Sequence, residues 1–169
     1  MTPNYKKIRA FLAVASIVLF FSMAIYAWSN WEELSSTRDI EFNDIVKAAV
    51  QLKIEQSRGM FQLSLLILGA MWTLMLAKPS EASIALSDVP ELTMFCVVNL
   101  FLLTSCWYHI KYVENITQIL AIAGAIKVSP SIPDILRSGM NSPYQFQQWF
   151  LISGSFVGAI AFFSAHKFK

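Results

Sequence analysis

Cys96, Asn99, Cys106 and His109 fall near one side of a single apolar run, at spacings of 3, 7 and 3. Residues three apart share a helix face, so Cys106 and His109 have the spacing of a pair of metal ligands. Two ligands are too few for a site, and no other apolar run offers a His, Cys, Asp or Glu within its core. The spacing therefore predicts no metal but a polar seam between helices, with Asn99 bonding across it. On one helix the two cysteines stand about 15 Å apart. A disulfide between them is excluded, because it needs Cα atoms within about 7 Å. A quinone-linked thiol oxidoreductase needs closely spaced cysteine pairs, and the chain has none. It also lacks a Gly-rich phosphate loop, a paired-carboxylate site and a nucleophile with a nearby base. The expectation is a non-enzymatic chain with no catalytic residue, no metal and no cofactor.

Two other groupings point to packing and to membrane placement. Gly154 and Gly158 form a G-x-x-x-G with Ser155 and Ala159 beside them. Such a stripe lets two helix backbones approach closely, either within the chain or between subunits. Ala161 is expected to tolerate a larger side chain better than either glycine. Trp28, Trp31, Trp107, Tyr108, Tyr112, Tyr144 and Trp149 all map to one end of the apolar runs; of the five tryptophans only Trp72 lies elsewhere. Trp28, Trp31, Trp107, Tyr108 and Trp149 read as an interfacial aromatic belt. The competing reading is an aromatic-walled pocket for a lipid or an apolar partner.

The elements that carry these residues follow from where charge is missing. No Asp, Glu, Lys or Arg occurs between Arg9 and Glu32, Arg58 and Lys78, Glu91 and Lys111, or Arg137 and Lys167, gaps of 22, 19, 19 and 29 residues. Crossing the hydrocarbon core takes roughly 20 apolar residues as helix. With 56% hydrophobic and 14% charged residues and a mean hydropathy of +0.52, the chain predicts an all-α polytopic membrane protein with four transmembrane helices. The spans fall at about 10–28, 60–77, 92–110 and 149–165. The first apolar run is too long for a signal-peptide core and is followed by no small-x-small cleavage site, so it reads as a retained anchor. Ser87-Asp88-Val89-Pro90 and Ser142-Pro143-Tyr144-Gln145 mark helix starts with proline in the first turn.

Helices 2 and 3 are expected to extend past the bilayer into a small helical headpiece, about 40–58 and 112–139. Phe42, Ile45, Ala49, Leu52, Gln56, Gly59, Leu63 and Leu66 follow a 3–4 spacing, with Asp44, Lys47, Gln51, Glu55 and Arg58 on the other side. On helix 3, Ile116, Ile119, Leu120 and Ala123 make the matching stripe; the competing reading is a re-entrant or interfacial segment. Phe42, Ile45 and Leu52 should thus bury themselves against Ile116 and Ile119, with a short helix at Ile132–Ser138 beneath. Lys6, Lys7 and Arg9 before the first span place both termini in the cytoplasm by the positive-inside rule. Asn115-Ile116-Thr117, a glycosylation tripeptide, then faces the other compartment.

No core carries the ionisable group that proton-coupled transport generally uses, and no span is broken by a central proline. The functional expectation is a protein that acts by assembly, as a homo-oligomer or as a small subunit of a membrane complex. Its partners are the lipid bilayer, itself or other membrane subunits, and no nucleic acid. The alternatives are an oligomeric pore former lined by Gln62, Ser64, Asn99 or Ser155, and a lipid-acting membrane enzyme.

Overall fold

The computed structural model describes residues 3–30, 44–76, 89–126 and 141–165. They form four helices: α1 (Pro3–Ser29), α2 (Asp44–Leu76), α3 (Val89–Ile126) and α4 (Asn141–Ala165). Segments Lys6–Ser29, Val89–Gln118 and Pro143–Phe163, in α1, α3 and α4, are each long and apolar enough to cross a membrane. The helix ends have local causes. The backbone N–H of Asn30 and its side-chain amide both donate to the Tyr26 carbonyl, at 3.0 and 2.8 Å, and close the last turn of α1. Pro90 sits in the first turn of α3, where its missing N–H costs nothing, and Glu91 beside it suits the positive end of the helix dipole. From there to Gly124 no glycine or proline interrupts α3, which runs 38 residues, about 57 Å.

α3 is the hub, packed against each of the other three helices, and its closest neighbour is α4. The register shows the directions. Gly154 meets Phe101 and Leu102, and Gly158 meets Val98, so α4 runs antiparallel to α3. Ser64 reaches Ser105 and Trp72 reaches Asn99, so α2 is antiparallel as well. Arg9 pairs with Glu91 and Phe20 packs on Phe101, so α1 is parallel. Half of the most apolar stretch of α3 is buried (50%), against 33% for α4 and 17% for α1. The core is built from Val98, Phe101 and Leu102 of α3 with Phe150, Leu151 and Val157 of α4, and Phe20 and Met23 of α1 pack on it. Between apolar helices in lipid, transfer from water rewards little, so close side-chain packing has to hold them. The edge-on ring pair Phe20–Phe101, with centroids 5.1 Å apart, is one such contact.

The inward face of α2 differs from the one its hydrophobicity predicts. Leu52 is 56% exposed, and Leu63 and Leu66 also point outward. The seam against α3 and α4 runs instead through Val50, Ile54, Ser57, Phe61, Ser64, Leu68 and Met71, at steps of 4 and 3. Ser57 and Ser64 fix this face, because Ser57 bonds to Gln147 of α4 and Ser64 lies against Ser105 of α3, and buried hydroxyls need such partners. Val50 and Ile54 form a cluster with Tyr112, Ile116 and Tyr144, beyond the core cluster. Phe42 and the proposed helix at Ile132–Ser138 lie outside the described residues, as do the side chains of Ile45, Ile119, Leu120 and Ala123.

Candidate functional site

Three helices meet at a polar node in the interior. α2 supplies Ser57 and Ser64, α3 supplies Ser105 and His109, and α4 supplies Gln147. Ser57, Ser64, Ser105 and Gln147 are completely buried. The Ser57 hydroxyl donates to Gln147 Oε1 at 2.5 Å, and Gln147 Nε2 returns a bond to the Ser57 carbonyl at 2.9 Å. Ser105 donates to the Gln147 carbonyl at 2.9 Å, and the Ser64 and Ser105 oxygens lie 3.4 Å apart. Each buried amide and hydroxyl thus finds a partner, as groups withdrawn from water must.

His109 Nδ1 lies 2.7 Å from Ser57 Oγ, and its ring stacks on Phe61 with centroids 4.7 Å apart. A serine hydroxyl against an imidazole nitrogen is the contact of an activated nucleophile. Here the single hydroxyl proton is given to Gln147, so His109 must donate from Nδ1 and serves as a hydrogen-bond donor, not as a base. Among the described residues no carboxylate bonds to His109 to orient it, and Ser57 presents no surface to a substrate. The arrangement joins three helices. His109 faces Ser57 and not Cys106, and among the described residues no three His, Cys, Asp or Glu side chains come together.

The other residues singled out by sequence take these places. Asn99 donates to the Phe95 carbonyl of its own helix at 2.7 Å and accepts from Trp72 Nε1 at 3.0 Å, joining α3 to α2. Gly154 and Gly158 lie at the α3–α4 seam within one chain. A Cβ on Gly154 would stand 2.8 Å from the Phe101 Cβ, an atom fixed by the backbone, whereas one on Gly158 would touch Val98 Cγ1 at an ordinary 3.4 Å. Ala161 is buried in a cluster with Ala13 and Met94. Trp28 (83% exposed), Trp107 and Trp149 face outward at one end of the bundle. Tyr108 does not join them. It turns inward and stacks on Phe150 with centroids 5.5 Å apart, because a step of one residue rotates a helix position by about 100° away from Trp107. Trp31 lies outside the described residues.

Past these aromatics, Tyr144 links α4 to α2. Its hydroxyl donates to Gln56 Oε1 at 2.8 Å, and Lys53 Nζ sits 5.6 Å from its ring centre. Partial burial lowers the Lys53 ammonium below the ordinary lysine value. The Tyr112 hydroxyl is buried and makes no hydrogen bond among the described residues.

Sequence reasoning missed the node and one ion pair. Arg9 of α1 and Glu91 of α3 form a salt bridge with both side chains only 4% exposed. Each stands at the edge of a charge-free run, where charges usually read as solvated flanks. Only the parallel register of α1 and α3 brings them together. Comparison with protein families, with curated proteins and with solved structures gives no match to this chain.

Proposed function

We propose that this is a non-enzymatic, multi-pass membrane protein with four spans that works by assembly, using the far ends of α2 and α3 as a headpiece outside the bilayer. The observation that carries the reading is the cluster of Val50, Ile54, Tyr112, Ile116 and Tyr144, which lies past the level of Trp28, Trp107 and Trp149. At 57 Å, α3 is nearly twice the roughly 30 Å hydrocarbon thickness, so part of it must stand in water. α2 counts as the fourth span because residues 60–76 hold no charge and lie beside the middle of α3, through Ser64–Ser105 and Trp72–Asn99. A helix bonded there shares the bilayer with its neighbour.

The headpiece has its own apolar interior, and yet Leu52 is turned away from it. In this reading Leu52, exposed among Gln51, Glu55 and Arg58, is the contact for a partner. That partner is a second copy or another membrane subunit. The pore reading gains less support. Ser64 and Asn99 are engaged inside the chain, Ser155 bonds to the Leu151 carbonyl at 2.8 Å, and only Gln62 faces outward.

Mass measurement of mildly solubilised native complexes tests the proposal. Leu52→Asp should release partners or copies while helicity and melting stay near wild type, and Val50→Asp should damage the fold itself. If Leu52→Asp leaves the complex mass unchanged, the headpiece is not the assembly surface. Ion conductance of the purified protein in planar bilayers would replace this reading with the pore.

A further inference from the structure

An open apolar groove of about 350 Å³ lies between α1 and α3 at the end of the bundle opposite the headpiece cluster. On α3 it follows Val89, Leu92, Cys96 and Leu100, and on α1 it ends against Ile17 and Phe21. The α3 side covers eleven residue steps, about 16 Å. That is roughly half of the hydrocarbon thickness, the depth of one leaflet. The Thr93 hydroxyl, the one polar group other than the Cys96 thiol in the lining, donates to the Val89 carbonyl of its own helix at 2.8 Å. Nothing in the groove therefore asks for a polar ligand.

Among the described residues, the lysines of α1 lie toward its outer end. Lys6, Ala10, Ile17 and Phe21 are spaced 4, 7 and 4 residues apart and share one strip of α1. Between Lys6 and Ile17 this strip carries the small side chain of Ala10, while beside it Ala13 turns to Met94 and Val14 faces outward. The Arg9–Glu91 contact sets residue 9 level with residue 91, so Lys6 stands about one turn further out, beside the α3 start. Lys6 and Lys7 are both exposed and make no ion pair among the described residues. Arg9, the third cation of this end, already has its carboxylate.

We infer that the groove holds one acyl chain of an anionic phospholipid, with the phosphate of its headgroup on Lys6 and Lys7. A slot one leaflet deep, apolar along its length and basic at its rim fits that molecule in length, polarity and charge. A transmembrane helix of a second copy would have to cross both leaflets, and the groove closes at Phe20 and Phe21 halfway. This assignment concerns the end of the bundle away from the headpiece and stands apart from the assembly reading.

Native mass spectrometry of the full chain, released from bilayers of equal phosphatidylglycerol and phosphatidylcholine, tests it. One retained phosphatidylglycerol per chain is expected, at least tenfold over phosphatidylcholine. Lys6→Gln with Lys7→Gln should bring the ratio near one, and Cys96→Trp should remove the adduct. Should the tryptophan variant fail to fold, the wild-type Cys96 thiol gives a second measurement. Its alkylation by a membrane-soluble maleimide should run several-fold slower in phosphatidylglycerol vesicles than in phosphatidylcholine vesicles. Equal retention of the two lipids, or a preference untouched by the lysine substitutions, would overturn the assignment. So would equal alkylation rates, or Cys96 cross-linking to a second copy.

Discussion

The contact of α3 with α4 and the contact of α3 with α1 are built on different plans. Along α4, Gln147, Phe150, Gly154, Val157 and Ala161 meet α3 turn after turn, and the polar node pins the start of the seam. Along α1, Arg9, Ala13, Ile17, Phe20, Met23 and Ala27 also turn inward, but Ala13 and Ala27 are small, the ion pair lies at one end, and an open groove runs beside them. In a bilayer, two apolar helices gain little by merely touching, so what separates the two contacts is how much of each face meets its neighbour closely. A seam fixed at every turn sets the crossing of α3 and α4. A seam with small side chains and an ion pair at one end joins α1 and leaves its flank open.

The largest effect should come from the ion pair. Glu91→Leu strips a buried guanidinium of its carboxylate, which costs about 3–5 kcal/mol, and Arg9→Met together with Glu91→Leu should recover most of it. Thermal unfolding in micelles measures both. A double variant as unstable as the single one would mean that α1 is held elsewhere. Next comes the seam. Gly154→Ala should destabilise by about 1–3 kcal/mol through overpacking on Phe101, while Gly158→Ala should stay within about 0.5 kcal/mol. Equal effects at the two glycines would erase the distinction between a close approach and an ordinary contact. The smallest effects belong to the outer faces. Val14→Ala on α1 and Phe156→Ala on α4, both outward-facing, should each stay within about 0.5 kcal/mol in the same assay. A large loss at Phe156 alone would show that another chain packs on α4.

The spans are legible because a soluble helix needs a polar face, and a charge-free apolar run of about 20 residues leaves none. Helices α1, α3 and α4 lie where those runs predict. The inner face of α2 is hidden from the same reasoning. Periodicity finds the apolar stripe through Leu52 and Leu66, which the structure leaves exposed, and passes over Ser57 and Ser64, which it buries. A 3–4 pattern that counts serines as buried would find the seam. Gln147 reads as part of a helix start, because it follows Ser142-Pro143 closely, and nothing local marks it as the partner of a serine ninety residues earlier. Tyr108 groups with Trp107 by neighbourhood in sequence, and a helix separates such neighbours.

The Arg9–Glu91 pair also has a history. The two residues belong to helices made at different moments. At about 5–20 residues per second, the stretch between them takes on the order of ten seconds to synthesise. Through that interval α1 sits in the membrane while its counter-ion does not yet exist, and the guanidinium is left to the lipid headgroups, toward which its long stem can reach. The arrival of α3 transfers that charge from lipid to protein. The nascent chain thus carries a basic anchor of three residues, and the finished one presents Lys6 and Lys7 alone. The moment at which the third cation disappears from the membrane surface is the moment at which the first helix becomes part of the bundle.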